Sequence, residues 1–136
     1  MRLNIQAMQQ DLLRRGAVLK LPTSNGIITI CTDDIIRVQA ISNYSKLFFA
    51  GNRKGLPKTL VVAKVLRWFE EQLGSSDFVR VHRTHIVNRK FISSFANSDL
   101  KPSNGGKLFL SNGELIEVSK RKKPSFLKYW SHAHAA

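Results

Sequence analysis

Residues 78–90 read FVRVHRTHIVNRK, thirteen residues without a single acid. Val79, Val81, Ile86 and Val87 are β-branched residues that favour extended backbone and can anchor it to a core. Among them Arg80, His82, Arg83, His85, Arg89 and Lys90 offer fork-shaped or point-charge donors. Apolar anchors interleaved with donors suit a surface that faces nucleic acid, and sequence-specific DNA binding is the function this stretch favours. The plainer alternative is a basic strand on a solvated face.

The charge balance of the whole chain agrees. Against 9 Asp and Glu stand 22 Lys and Arg, a net charge of +13, so polyanions are the natural partners. With 136 residues and 43% hydrophobic content, the chain can bury one core, and a single compact domain is expected rather than a charged tail. Cys31 is the sole cysteine, which excludes an internal disulfide. Its place in GIITIC predicts a buried thiol in a reducing compartment, with the cytoplasm as the location. No run of about eighteen apolar residues and no signal-peptide pattern occurs. Only KRKKPSFLKYW approaches a membrane-surface helix, and membrane attachment is not expected.

Outward from the 78–90 block, short extended segments dominate. Residues 1–16 carry Leu3, Ile5, Met8, Leu12 and Leu13 at helical spacing up to Gly16 and read as a short leader, helical over a turn or two. AVLKL and IITIC flank Pro22, Ser24, Asn25 and Gly26, a hairpin pattern. Thr32, Asp33 and Asp34 suit a brief helical turn. IIRVQAI and YSKLFFA are extended segments broken at Ser42 and Asn43, and GNRKG at 51–55 is an exposed turn. A short strand around Thr59–Val61 precedes the one amphipathic helix, expected at about 62–73: Val62, Val65, Leu66, Phe69 and Leu73 form its stripe and Gly74 stops it. Trp68 and Phe69 read as core and flank. A turn-rich stretch from Asn97 to Gly106 leads into the strands KLFL and ELIEV, joined through Ser111, Asn112 and Gly113. Asn-Gly there predicts a type I′ hairpin, with positive φ at both residues. Residues 126–136 are expected to be a C-terminal extension and flexible tail.

Four of these segments, in this order, resemble the LytTR-type DNA-binding domain: IIRVQAISNYSKLFF, TLVVAKVLRWFEEQL, FVRVHRTHIVNRKFI and LFLSNGELIEVSKRKK. The resemblance covers roughly residues 17–125, and its most specific part is the helix followed by the HRTHIVN block. It implies a mostly β fold with few helices, built of short antiparallel strands in small sheets, whose loops rather than a recognition helix enter the DNA. It implies further a transcriptional regulator that reads paired direct repeats, with two copies on paired sites. Carried over by position, the DNA-binding candidates are Asn43, Ser45 and Lys46 in the first loop, Arg83 and His85 in the second, and Lys120, Arg121 and Lys122 in the third.

The residue types fit those roles. Arg83 can pair with guanine O6 and N7 or clamp a phosphate, and Asn43 can face adenine or serve as a turn residue that tolerates positive φ. Asn88 at the end of its apolar run reads as a structural cap, and His82 as a packing and hydrogen-bonding residue. No enzyme is expected. His82 with His85, or His132 with His134, gives at most two neighbouring ligands, so neither zinc nor another metal is anticipated. Residues 104–107 lack the Ser or Thr of a phosphate loop, and the adjacent pairs Asp33–Asp34 and Glu70–Glu71 do not converge as nuclease carboxylates. No cofactor is implied. The competing reading is a small basic RNA-binding or ribosome-associated protein, with Phe48, Phe49, Phe78 and Phe109 as stacking candidates. Sixteen residues before the first expected strand are too few for a receiver domain, which leaves abundance, an upstream partner protein or the leader as the means of control.

Overall fold

The computed structural model describes residues 17–51, 54–97 and 105–133, so the expected leader at 1–16 lies outside the described residues. Strands β1 (Val18–Thr23) and β2 (Gly26–Cys31) form a separate hairpin. Strands β3 (Ile35–Ile41), β4 (Tyr44–Phe49), β5 (Thr59–Val62), β6 (Phe78–His82) and β7 (His85–Asn88) build a five-stranded sheet in the order β5-β4-β3-β7-β6. Strands β8 (Ile92–Asn97), β9 (Gly106–Leu110) and β10 (Leu115–Val118) build a third sheet in the order β10-β9-β8. All pairings are antiparallel. Two helices complete the described chain, α1 (Leu66–Leu73) and α2 (Lys123–Ala133). The mostly β architecture of small antiparallel sheets is the one the sequence implied.

Alternation along the strands gives the central sheet a core on each face. Val38 of β3 faces Ile86 of β7 across the ladder, and both enter a first core with Leu19 and Leu21 of β1 and Leu66 and Phe69 of α1. The neighbouring Val87 points the other way, into a second core with Leu108, Ile116 and Val118 of the third sheet and Phe126 of α2. Cys31 is buried, as its apolar neighbours led one to expect.

Some local expectations need correction. The helix expected at about 62–73 begins at Leu66: Val62 closes β5 opposite Ser45, and Val65, half exposed, is only the residue before the first turn. The β-branched Thr59, Val61 and Val62 of TLVV gain more by pairing along β4 than by winding into a helix that would restrict their rotamers. The stop at Gly74 holds, with φ at 73° and its N–H donating to Glu70 O at 3.1 Å. The hairpin at Ser111–Gly113 forms, yet only Gly113 has positive φ, 91°. Leu110 and Glu114 bracket a three-residue loop, and Asn112 Oδ1 accepts the Glu114 N–H at 3.0 Å. In the β3–β4 turn the left-handed residue is Ser42, φ 54°, and not Asn43.

Residues 126–133 are also no flexible tail. They continue α2, whose second residue is Pro124, where a missing N–H costs nothing because first-turn amides have no helical partner. Phe126 is fully buried, its ring 5.1 Å from Phe95 and 5.8 Å from Trp130. The boundary expected at residue 125 therefore falls inside a helix that closes the second core.

Candidate nucleic-acid interface

Backbone hydrogen bonds bring the three candidate loops to one end of the central sheet. Arg83 and Thr84 form the turn between β6 and β7, closed by the pair His82–His85. On one side Ala40 N–H donates to Thr84 O at 2.8 Å, which sets the turn beside the end of β3 and its Ser42–Asn43 tip. On the other, Ser119 N–H donates to Val81 O at 2.9 Å, so the chain leaving β10 runs past the same turn. Arg80, His82, Arg83, Ser119, Arg121 and Lys122 line one open groove there. The basic run is wound into the start of α2: Ser119 O accepts from Lys122 N–H at 3.1 Å and Lys123 N–H at 2.9 Å. Lys120 and Arg121 project from this approach as exposed side chains and Lys122 is half-buried. Their charge adds to the positive end of the helix dipole.

Most cations of the 78–90 block are already engaged. Arg80 is paired with Glu70, Arg89 with Asp77 at 3.1 Å and Lys90 with Asp33 at 2.5 Å. The Asp33 partner, with the hydrogen bond it makes, raises the Lys90 pKa. Arg83 is exposed and its side chain has no hydrogen bond or ion pair among the described residues. Its backbone is held nonetheless, since Arg80 Nη2 donates to Arg83 O at 2.7 Å and Arg80 Nε to His82 O at 3.4 Å.

The first loop divides. Asn43 is exposed at the hairpin tip, and Lys46 is half-exposed on β4 with Nζ 5.2 Å from the centre of the Phe48 ring. Ser45 is a correction: it is 0% exposed and its Oγ donates to Lys64 O at 2.6 Å, so its hydroxyl serves the end of β5. In YSKLFF the buried residues are Ser45, Leu47 and Phe49, and the phase of the two large apolar residues already points Ser45 inward.

His85 stands away from the exposed turn. Half-buried on β7, it has Nδ1 3.1 Å from Thr84 Oγ1 and Nε2 3.4 Å from Arg37 Nη1. Burial, and then the Arg37 charge, lower its pKa to about 4, so it is neutral near pH 7. Arg37 itself is 7% exposed, stacked 3.5 Å over the Phe48 ring. It donates to both Glu114 oxygens, at 3.2 and 2.8 Å. That pairing holds the Glu114 carboxyl below its usual range. Sequence reasoning passed over Arg37, although an Arg among the apolar residues of IIRVQAI must find a partner when its strand is buried.

The structural expectations for two residues hold. Asn88 is fully buried, accepting Lys90 N–H at 3.0 Å and donating to Ile35 O at 2.9 Å. His82 Nδ1 accepts Thr84 N–H at 3.2 Å and lies 2.8 Å from Thr84 Oγ1.

A family model of the LytTR DNA-binding domain matches residues 25–131, the span that holds the second core, most of the first and all three loops. The chain belongs to the LytTR family. Among solved structures, this LytTR domain is similar to that of a protein described as a methyl-accepting/DNA response regulator from Bacillus cereus. The two are 26% identical with a TM-score of 0.65, over 84% of this chain and 96% of the other. No curated protein matches. Membership makes the domain a DNA-binding module of transcription regulation. Among the described residues no helix is long and apolar enough to cross a membrane.

Proposed function

We propose that this LytTR domain is a non-enzymatic, sequence-specific transcriptional regulator of the cytoplasm that reads paired direct repeats of double-stranded DNA through loops entering the major groove. The convergence of Arg83 with the 119–122 run in one groove, beside the Ser42–Asn43 tip, carries this reading. Arg83 is the base reader: exposed on a fixed turn and unpaired among the described residues, it can spend both ends of its fork on guanine O6 and N7. Lys120 and Arg121 reach bases or the adjacent phosphates, Lys122 a phosphate, and Asn43 and Lys46 complete the contact from the hairpin. His85 acts behind this surface. Two copies occupy repeats about one helical turn apart, as the geometry of the duplex requires for equivalent faces.

RNA binding finds less support. Phe49 and Phe78 are buried and Phe48 lies under Arg37, which leaves Phe109 exposed on the third sheet among the four aromatic candidates. A stacking platform needs several exposed rings on one surface. The test of the proposed function is Arg83→Ala, measured on a duplex selected by the protein and on a scrambled duplex. Specific binding should weaken by about 1 to 3 kcal/mol while the scrambled duplex is bound as before. Equal losses on both would reduce Arg83 to a phosphate clamp.

A further inference from the structure

The turn that presents Arg83 is held from both faces of the central sheet, and each hold ends in a carboxylate. From the first face, Glu70 of α1 anchors Arg80, whose guanidinium donates to the carbonyls of His82 and Arg83. From the second face, Glu114 anchors Arg37, which is followed by His85, Thr84 and His82. The donors give this second chain one direction. Arginine can only donate, so His85 Nε2 accepts from it and the His85 proton sits on Nδ1, facing Thr84 Oγ1. The Thr84 hydroxyl then donates to His82 Nδ1, the atom that also receives the Thr84 N–H. The carbonyls of His82 and Arg83, the Thr84 hydroxyl and N–H, and His82 Nδ1 are thereby assigned.

Spending acids here has an electrostatic cost. The chain holds 9 acids against 22 cations, and a carboxylate beside a DNA-binding groove repels phosphates. Arg80 lines that groove, and Glu70 stands directly behind it. Charge alone would favour leaving Arg80 unpaired to attract the backbone. Pairing makes sense if the fixed position of the turn is worth more than one phosphate contact, because a base-reading fork must meet two acceptors at once.

We propose that Arg80, braced by Glu70, and Thr84, braced through His85 and Arg37 by Glu114, are positioning residues that fix the turn from which Arg83 reads DNA. The inference rests on the reading of Arg83 as a base contact. Neither residue need touch DNA.

The experiment compares affinities of the full chain for a duplex selected from a random pool and for a scrambled duplex of the same composition, at one salt concentration. Variants are Glu70→Gln, Thr84→Val, Thr84→Ser and Arg83→Ala, each followed by thermal melting. Removing the Glu70 charge should by simple electrostatics tighten binding to both duplexes. Positioning predicts instead that Glu70→Gln and Thr84→Val each lower the ratio of selected to scrambled affinity by about tenfold, as coupled neighbours do. Thr84→Ser, which keeps the hydroxyl, should retain the ratio. In an Arg83→Ala background neither change should lower the ratio further.

If Arg83→Ala lowers the ratio but Glu70→Gln and Thr84→Val leave it intact, the positioning proposal is overturned and the base contact stands. Parallel loss on both duplexes with a lowered melting temperature would show a structural role only, and overturns it as well. If Arg83→Ala itself leaves the ratio unchanged, the base contact fails and the positioning proposal with it.

Discussion

At the scale of residues, Arg83 differs from its neighbours by lacking an acid among the described residues. Arg80, Arg89 and Lys90 are each matched to a carboxylate from another segment, so their charge serves the fold or the turn. His85 illustrates a second point, that a basic-capable side chain can be held neutral. Its pKa is about 4 in the fold against 6.5 as the ordinary value. Between those values the unfolded chain takes a proton that the folded chain refuses, so stability falls as pH drops through this window and levels off above it. Glu114, held below its usual range, loses its contribution as pH falls from that range through its lowered pKa. Denaturant midpoints should therefore be lower at about pH 5 than at about pH 7, and His85→Gln should shrink the difference. An unaltered difference in that variant would assign the pH dependence elsewhere. Asn88 was legible because an amide ending an apolar run has few other uses. Ser45 was misread because the resemblance drew attention to its loop while its phase with Leu47 and Phe49 pointed to the core. The partners of Arg37 and Arg80 lie far off in sequence and could not be read from spacing.

At the scale of elements, hairpins were the most legible because turn residues and alternation act locally. β1–β2, β3–β4 and β9–β10 all follow that logic, even where the left-handed residue is one position away from the expected one. Helices were less so. Val62 fits a helical stripe by spacing and a strand by chemistry, and the vacant edge of β4 decides for the strand. In α2 the proline stands in the first turn, a position that allows the helix to run on. Phe126, Tyr129 and Trp130, spaced by three and four, were the available signal. Phe126→Ala should destabilise the domain by about 3 to 5 kcal/mol, as for a buried aromatic removed from a packed core. Chemical denaturation would check this, and a loss near zero would return these residues to the status of a tail.

At the scale of the whole molecule, the two cores place the cations. A sheet buried on both faces leaves its strand ends as the rigid positions for exposed side chains, and the Arg83 turn and the 119–122 run share one such end. The net charge of +13 then draws the chain toward any duplex, while on the proposed reading the fixed turn selects among sequences. These contributions separate by salt. Lys122→Ala should weaken binding to all duplexes alike and reduce the magnitude of the salt slope by about one. An unchanged slope would remove Lys122 from the interface. The overall charge, the β architecture and the family were readable from the sequence, but the meeting of the loops depends on the bonds from Ala40 to Thr84 and from Ser119 to Val81, which no local pattern encodes.

The most direct test of duplex reading is selection from a random double-stranded DNA pool at near-physiological salt, with structured RNA as competitor. Enrichment of two short direct repeats about one helical turn apart is the predicted result. Recovery of no motif, or displacement of every duplex by RNA, would contradict a sequence-specific DNA regulator.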